Sequence, residues 1–94
     1  GDIKSTFGHS SDYCFAMGLA GMQTGHLEEA KEFFYQAMEA DTVQVEGTNS
    51  YLAWYNLGVM EEVAYKNPDQ AKVDYKKAFP YIKAVNRLRQ IEAE

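Results

Sequence analysis

Apolar and polar positions along this chain fall twice into the same helical order. Met17-Gly18 is followed by Ala30, Phe34 and Ala37, and Leu57-Gly58 by Ala71, Tyr75 and Ala78. In both stretches alanine and ring stand four residues apart and the two alanines seven, so each trio shares one face of a helix. Small residues on either side of a ring make a face that packs closely. A glycine in the preceding helix removes a side chain at the point of approach, at a cost of about 1 kcal/mol in helix propensity against alanine, which predicts a packing reason for Gly18 and Gly58. The glycine precedes the first alanine by twelve residues in one stretch and thirteen in the other, and the extra residue is expected in the turn between helices.

The same periodicity places about five helices and no other regular structure. Residues 1–10 lack a period and read as a flexible lead-in to a single domain over 11–94. Ser11 or Asp12 is expected to cap a first helix that runs to about Thr24, where Gly25 breaks it. A second helix, 27–40, carries Glu28 and Glu29 in its first turn and turns Ala30, Phe33, Phe34, Ala37 and Met38 inward. Residues 41–50 interrupt the period and read as an extended linker, with a short alternation at Val43-Gln44-Val45. Asn49 or Ser50 then caps a third helix reaching about Lys66. Asn67-Pro68-Asp69 stops that helix and opens a fourth over 68–79. Apolar positions 71, 75, 78, 82 and 85 keep helical spacing across Pro80, so the chain either kinks there or starts again. A distinct terminal helix over 81–93 is predicted, with Tyr81, Ala84, Val85, Leu88 and Ile91 inward and Lys83, Arg87 and Glu92 in water.

Trp54-Tyr55-Asn56-Leu57-Gly58, and Cys14-Phe15-Ala16-Met17-Gly18 with Gly25-His26-Leu27-Glu28-Glu29-Ala30, resemble the tetratricopeptide repeat, whose pattern runs Trp, Leu-Gly, Tyr, then Ala, aromatic, Ala. The resemblance covers roughly residues 11–79. Cys14 stands where the family has tryptophan, as a small buried substitute, and Gly21 and Glu61 stand where tyrosine is usual. The two glycines are 40 residues apart where the family period is 34, so an insertion lies between the copies. The resemblance implies an all-α, right-handed α-solenoid of antiparallel helix pairs, organised as repeat one 11–41, linker 42–49, repeat two 50–79 and a terminal capping helix 80–93.

Composition adds limits rather than chemistry. The 94 residues are 46% hydrophobic with two prolines, as in an ordinary globular domain, and contain no run long enough to span a membrane. The first residue, Gly1, fits a processed chain or a fragment of a larger protein. Residues 1–65 hold ten acids and two bases, and residues 66–94 hold seven bases and four acids. An acidic body argues against a nucleic-acid surface, and the basic end reads as a solvated helix face. A single cysteine leaves the redox compartment open. His9 and His26 have no companion at metal-ligand spacing, and Ser5, Ser10, Ser11 and Ser50 lack a nucleophile-elbow context. Glu28, Glu29, Glu32, Glu61 and Glu62 form carboxylate clusters with no positioned partner. No catalytic residue, metal or cofactor is expected, and the chain does not read as an enzyme.

The resemblance instead implies a protein-interaction module that takes a peptide or protein segment in a groove lined by the first helix of each pair. Carried over by position, the groove comprises Asp12, Phe15, Leu19, Met22 and Gln23 from the first repeat and Leu52, Tyr55, Asn56, Val59, Glu62 and Val63 from the second. Phe15, Leu19, Met22 and Tyr55 are expected on a face opposite the glycine seam, as an apolar strip open to a partner. Of the residues with which one branch of the family grips a terminal carboxylate, Asn56 alone is present. An apolar ligand, or a basic one held by Asp12 and Glu62, fits better. The alternative is a self-association element, for instance a homodimer, with the groove or terminal helix buried against another copy or domain. Asn86-Arg87-Leu88-Arg89 after a tyrosine-rich stretch resembles the helical-repeat tails of bacterial cell-envelope proteins, which leaves cytoplasm and envelope both open.

Overall fold

The computed structural model describes residues 10–43 and 48–93. Along them run α1, Ser11–Thr24; α2, Leu27–Val43; α3, Thr48–Val59, which continues as a π-helical turn over Met60–Ala64; α4, Pro68–Lys77; and α5, Ile82–Ala93. The fold is an all-α helical repeat. Residues 1–9 of the expected lead-in, with His9, and the alternation at 44 and 45 lie outside the described residues. The chain divides into two compact units, Gly1–Asn49 and Ser50–Glu94.

In the first unit α1 begins one residue earlier than its sequence suggests. Ser10 has an extended backbone, and its hydroxyl accepts the Tyr13 N–H at 3.1 Å, so Ser10 rather than Ser11 or Asp12 is the cap. Ser11 lies inside the helix, 1% exposed, and its Oγ donates to the Ala37 carbonyl at 3.1 Å. Further along, Cys14 Sγ meets Gln36 Oε1 at 3.8 Å, Gly18 lies under the Phe34 ring and Gly21 approaches Ala30. Partners advance on α1 while they retreat on α2, which is the register of an antiparallel pair. Gly25 closes α1 at φ 82°, a conformation that suits a residue without Cβ. His26 N–H then donates back to the Gly21 carbonyl at 2.8 Å. α2 runs three residues past position 40, because Asp41, Thr42 and Val43 are only mildly poor helix formers.

The seam of this pair is set by volume. A Cβ placed on Gly18 would fall 2.5 Å from Phe34 Cε1, far inside van der Waals contact, and Phe34 is fully buried between Ala30 and Ala37. The second unit repeats the arrangement. A Cβ on Gly58 would fall 2.6 Å from Tyr75 Cε1, and Tyr75 is buried between Ala71 and Ala78. Burying a ring of this size contributes roughly 1.5–3 kcal/mol.

The two pairs differ where the sequence has its extra residue, and the difference is not in the turn. From Gly25 to Ala30 is five residues, and from Lys66 to Ala71 is also five. Among the described residues Gly25 and Lys66 are the two left-handed positions, at φ 82° and 56°. The added residue is therefore absorbed before Lys66, inside the helix, where Tyr65 N–H reaches back five residues to the Met60 carbonyl at 3.0 Å. A wider π turn accommodates one residue without displacing the turn and helix beyond it. Asn67 then caps α4 through its side chain, which accepts the Gln70 N–H at 3.3 Å, with Pro68 in the first turn.

α4 ends at Lys77, two residues short of the expected 79, and a turn through Ala78, Phe79 and Pro80 leads into α5. The chain thus starts a separate helix after the proline instead of kinking through it. The Phe79–Pro80 peptide is cis. Ala84 is buried with Ala71, Tyr75 and Ala78, and Tyr81, Leu88 and Ile91 pack against that cluster, as the α5 stripe predicts.

Lys66 has a β-carbon in a left-handed conformation and an exposed side chain, so its backbone strain has no packing return. Lys66→Gly is expected to raise stability by about 0.5–1 kcal/mol. Urea titration of both proteins measures this directly, and an unchanged or lowered midpoint would contradict it.

Candidate partner-binding face

On α1 the seam with α2 takes Ser11, Cys14 and Gly18, all buried. Phe15, Leu19 and Met22 are half-buried, whereas Asp12 and Gln23 are exposed. The three apolar side chains lie beside the seam and not opposite it, because a step of three or four residues along a helix returns nearly to the same face. Phe15 makes this concrete: its ring centroid is 5.8 Å from that of Phe34, at 52°. Cys14 is 2% exposed, and burial pushes its thiol above the usual range. It is a packed side chain, as its place in the pattern implies.

In the second unit the corresponding residues are engaged more deeply. Tyr55 stands 5.8 Å from Tyr75 and meets Tyr81 edge-on at 5.2 Å. Val59 packs against the Ala71–Tyr75–Ala78–Ala84 cluster. Leu52 is half-buried, and its carbonyl accepts from Asn56 Nδ2 at 2.8 Å, which commits part of that amide to its own helix. Val63, by contrast, is 61% exposed.

Glu62 is the residue whose surroundings depart furthest from expectation. Its Oε1 accepts from the Tyr75 hydroxyl at 2.9 Å and from Arg87 Nε at 3.0 Å, and its Oε2 is bound by Arg87 Nη2. Arg87 is accordingly half-buried and paired, not the wet residue its position on α5 suggests. With 55 meeting 81 and 62 meeting 87, α5 runs alongside α3 in the same direction. The Arg87 guanidinium holds the Glu62 carboxyl below its ordinary value of 4.5, against the opposing effect of burial, and the Tyr75 hydroxyl adds to the lowering. Tyr75 moves the other way: burial, then the adjacent carboxylate, push its phenol up. A carboxylate already bound by a guanidinium and a phenol has little to offer a basic ligand. No local pattern signals this triad, since its members are 13 and 25 residues apart, Tyr75 reads as a packing ring and Arg87 as a surface cation.

Surface cavities lie within both units, among them one beside the α1–α2 turn and one between α4 and α5. One, of about 170 Å³, is bounded by Met17, Ala20, Gly21, Thr24, His26, Glu29 and Phe33. The other, of about 350 Å³, is bounded by Tyr75, Lys76, Phe79, Val85, Leu88, Arg89 and Glu92. Neither includes a residue of the expected groove. His26 is exposed and its Nδ1 lies 2.8 Å from Thr24 Oγ1. Among the described residues no group of three or more His, Cys, Asp or Glu side chains could hold a metal ion, and no helix is long and apolar enough to cross a membrane.

The depressed pKa of Glu62 ties the α3–α4–α5 contact to pH. Its contribution is complete above the ordinary glutamate value of 4.5 and is lost as pH falls through the lower folded value. Glu62→Gln is therefore expected to lower the melting temperature by a few degrees at pH 7 and by progressively less under acid conditions. Melting curves of both proteins between pH 7 and 3 check this; a gap that stays constant would contradict it.

Residues 11–43, the span of α1 and α2, match the family model for the tetratricopeptide repeat. No curated protein and no solved structure matches the chain. The matched span contains the capped α1, the left-handed Gly25 and the ring-over-glycine seam. That match makes the α1–α2 pair, residues 11–43 of the 94, similar to one tetratricopeptide repeat.

Proposed function

We propose that this protein is a protein-protein interaction module that receives an apolar peptide or protein segment along the half-exposed flank of α1, with residues 50–79 acting as a second repeat and α5 as its cap. Tetratricopeptide repeats generally mediate protein-protein interaction and are non-catalytic modules. The observation that carries the reading is the division of labour on α1. Its packing with α2 is satisfied by Ser11, Cys14 and Gly18, and Phe15, Leu19 and Met22 stand beside that seam half-exposed. Apolar surface left over at a regular helical spacing favours a segment laid along the helix.

The second repeat supports the reading less evenly. Tyr55, Val59 and Glu62 are already in contact with α4 and α5, so they shape the face more than they supply free valences. Selectivity then comes from hydrophobic fit along α1, with Asp12 and Gln23 at its two ends. Recognition of a basic ligand by a pair of carboxylates is not part of this proposal, because Glu62 is neutralised within its own unit.

Peptides selected by display against the intact protein should carry two or more large apolar residues at helical or extended spacing. Leu19→Lys combined with Met22→Lys should weaken their binding by roughly tenfold or more while far-UV circular dichroism is unchanged. Equal binding to the folded double variant would place the site elsewhere.

A further inference from the structure

The turn between α4 and α5 and the start of α5 carry large apolar side chains in water. Here Phe79 is 66% and Ile82 62% exposed, and Phe79 borders the cleft of about 350 Å³ whose walls include Val85 and Leu88. Two cations, Lys76 and Arg89, stand at that cleft, with Glu92 as its acid. Lys72, Lys77 and Lys83 add to the positive charge of the same two helices, which Asp69 and Asp74 on α4 offset in part.

The complementary surface is on the same chain. On α2, Glu28, Glu32, Tyr35 and Glu39 recur at helical spacing, and all four are exposed, Tyr35 to 44%. An exposed ring between carboxylates three residues before it and four after it matches an apolar cleft edged by cations. From the fit of these two surfaces we propose that the α4–α5 cleft is a self-association site that takes the outer α2 stripe of a second copy. Tyr35 enters against Phe79, Val85 and Leu88, and Glu32 and Glu39 face Lys76 and Arg89. A foreign acidic helix would satisfy the same cleft. The second copy is preferred because both halves of the complementarity are carried by one sequence whose acidic and basic stretches are segregated. This surface is separate from the α1 face and does not depend on it.

Sedimentation equilibrium of the intact chain, over a range of concentrations and at low and high salt, tests the proposal. The wild type should rise above monomer mass with concentration, less so in high salt. Lys76→Glu with Arg89→Glu, and separately Glu32→Lys with Glu39→Lys, should each weaken self-association by roughly tenfold. Mixing these two folded variants should restore association, because each again presents the other with a charge of opposite sign. Leu19→Lys with Met22→Lys should leave it unchanged. A wild type that is monomeric throughout, reversals that leave association intact, or a mixture that fails to associate would each overturn the proposal. Among these results, a monomeric wild type whose α4–α5 cleft binds an acidic helical peptide would assign the site to a foreign partner.

Discussion

A buried ring seated over a glycine sets the distance between the two helices of each pair, and much else in the chain is arranged around that contact. Phe34 over Gly18 and Tyr75 over Gly58 leave no space for a β-carbon. The flanking alanines are then a necessity, since larger side chains on either side of the ring would hold the helices apart. In the first unit the same closeness brings Ser11 within hydrogen-bonding reach of the Ala37 carbonyl and Gly21 against Ala30. Phe15, Leu19 and Met22 flank the seam as a half-covered strip.

The second pair keeps the seam and alters the route to it. One added residue is taken up by a π turn at Met60–Ala64, after which Lys66 and Asn67 occupy the places of Gly25 and His26. The same stretch contains Glu62, which joins the Tyr75 ring that fills the seam to Arg87 on α5. The ring's hydroxyl, absent from Phe34, thus links the seam to the adjoining helix α5. This gives the phenylalanine-to-tyrosine difference between the two pairs a physical meaning.

The repeated glycine, ring and alanine positions are legible in the sequence because they are local and periodic, and they lead directly to the helix pairs and to the family resemblance. Gly25, Asn67 and Pro80 are legible for the same reason, as residues whose backbone preferences act on their immediate neighbours. The extra residue can be counted in the sequence but not located, since turn and π turn consume it equally well. Ser10 and Ser11 are chemically interchangeable as caps, and only the burial of Ser11 by α2 separates them. Position in the repeat assigns a binding face to α1 and α3 but misjudges its depth: a residue three or four positions from the seam lies beside it. Arg87 reads as a surface cation because nothing in its own helix announces a carboxylate 25 residues away.

The central claim is that Gly18 is required by the Phe34 ring and not by the helix it sits in. The stability change for Gly18→Ala, measured by urea denaturation in the natural chain and again in a Phe34→Leu background, tests it most directly. The account predicts a loss of about 1–3 kcal/mol in the natural chain. In the leucine background that loss should vanish or become a gain of up to about 1 kcal/mol, as alanine's helix propensity takes over. An equal loss in both backgrounds, or a gain in the natural chain, would contradict it.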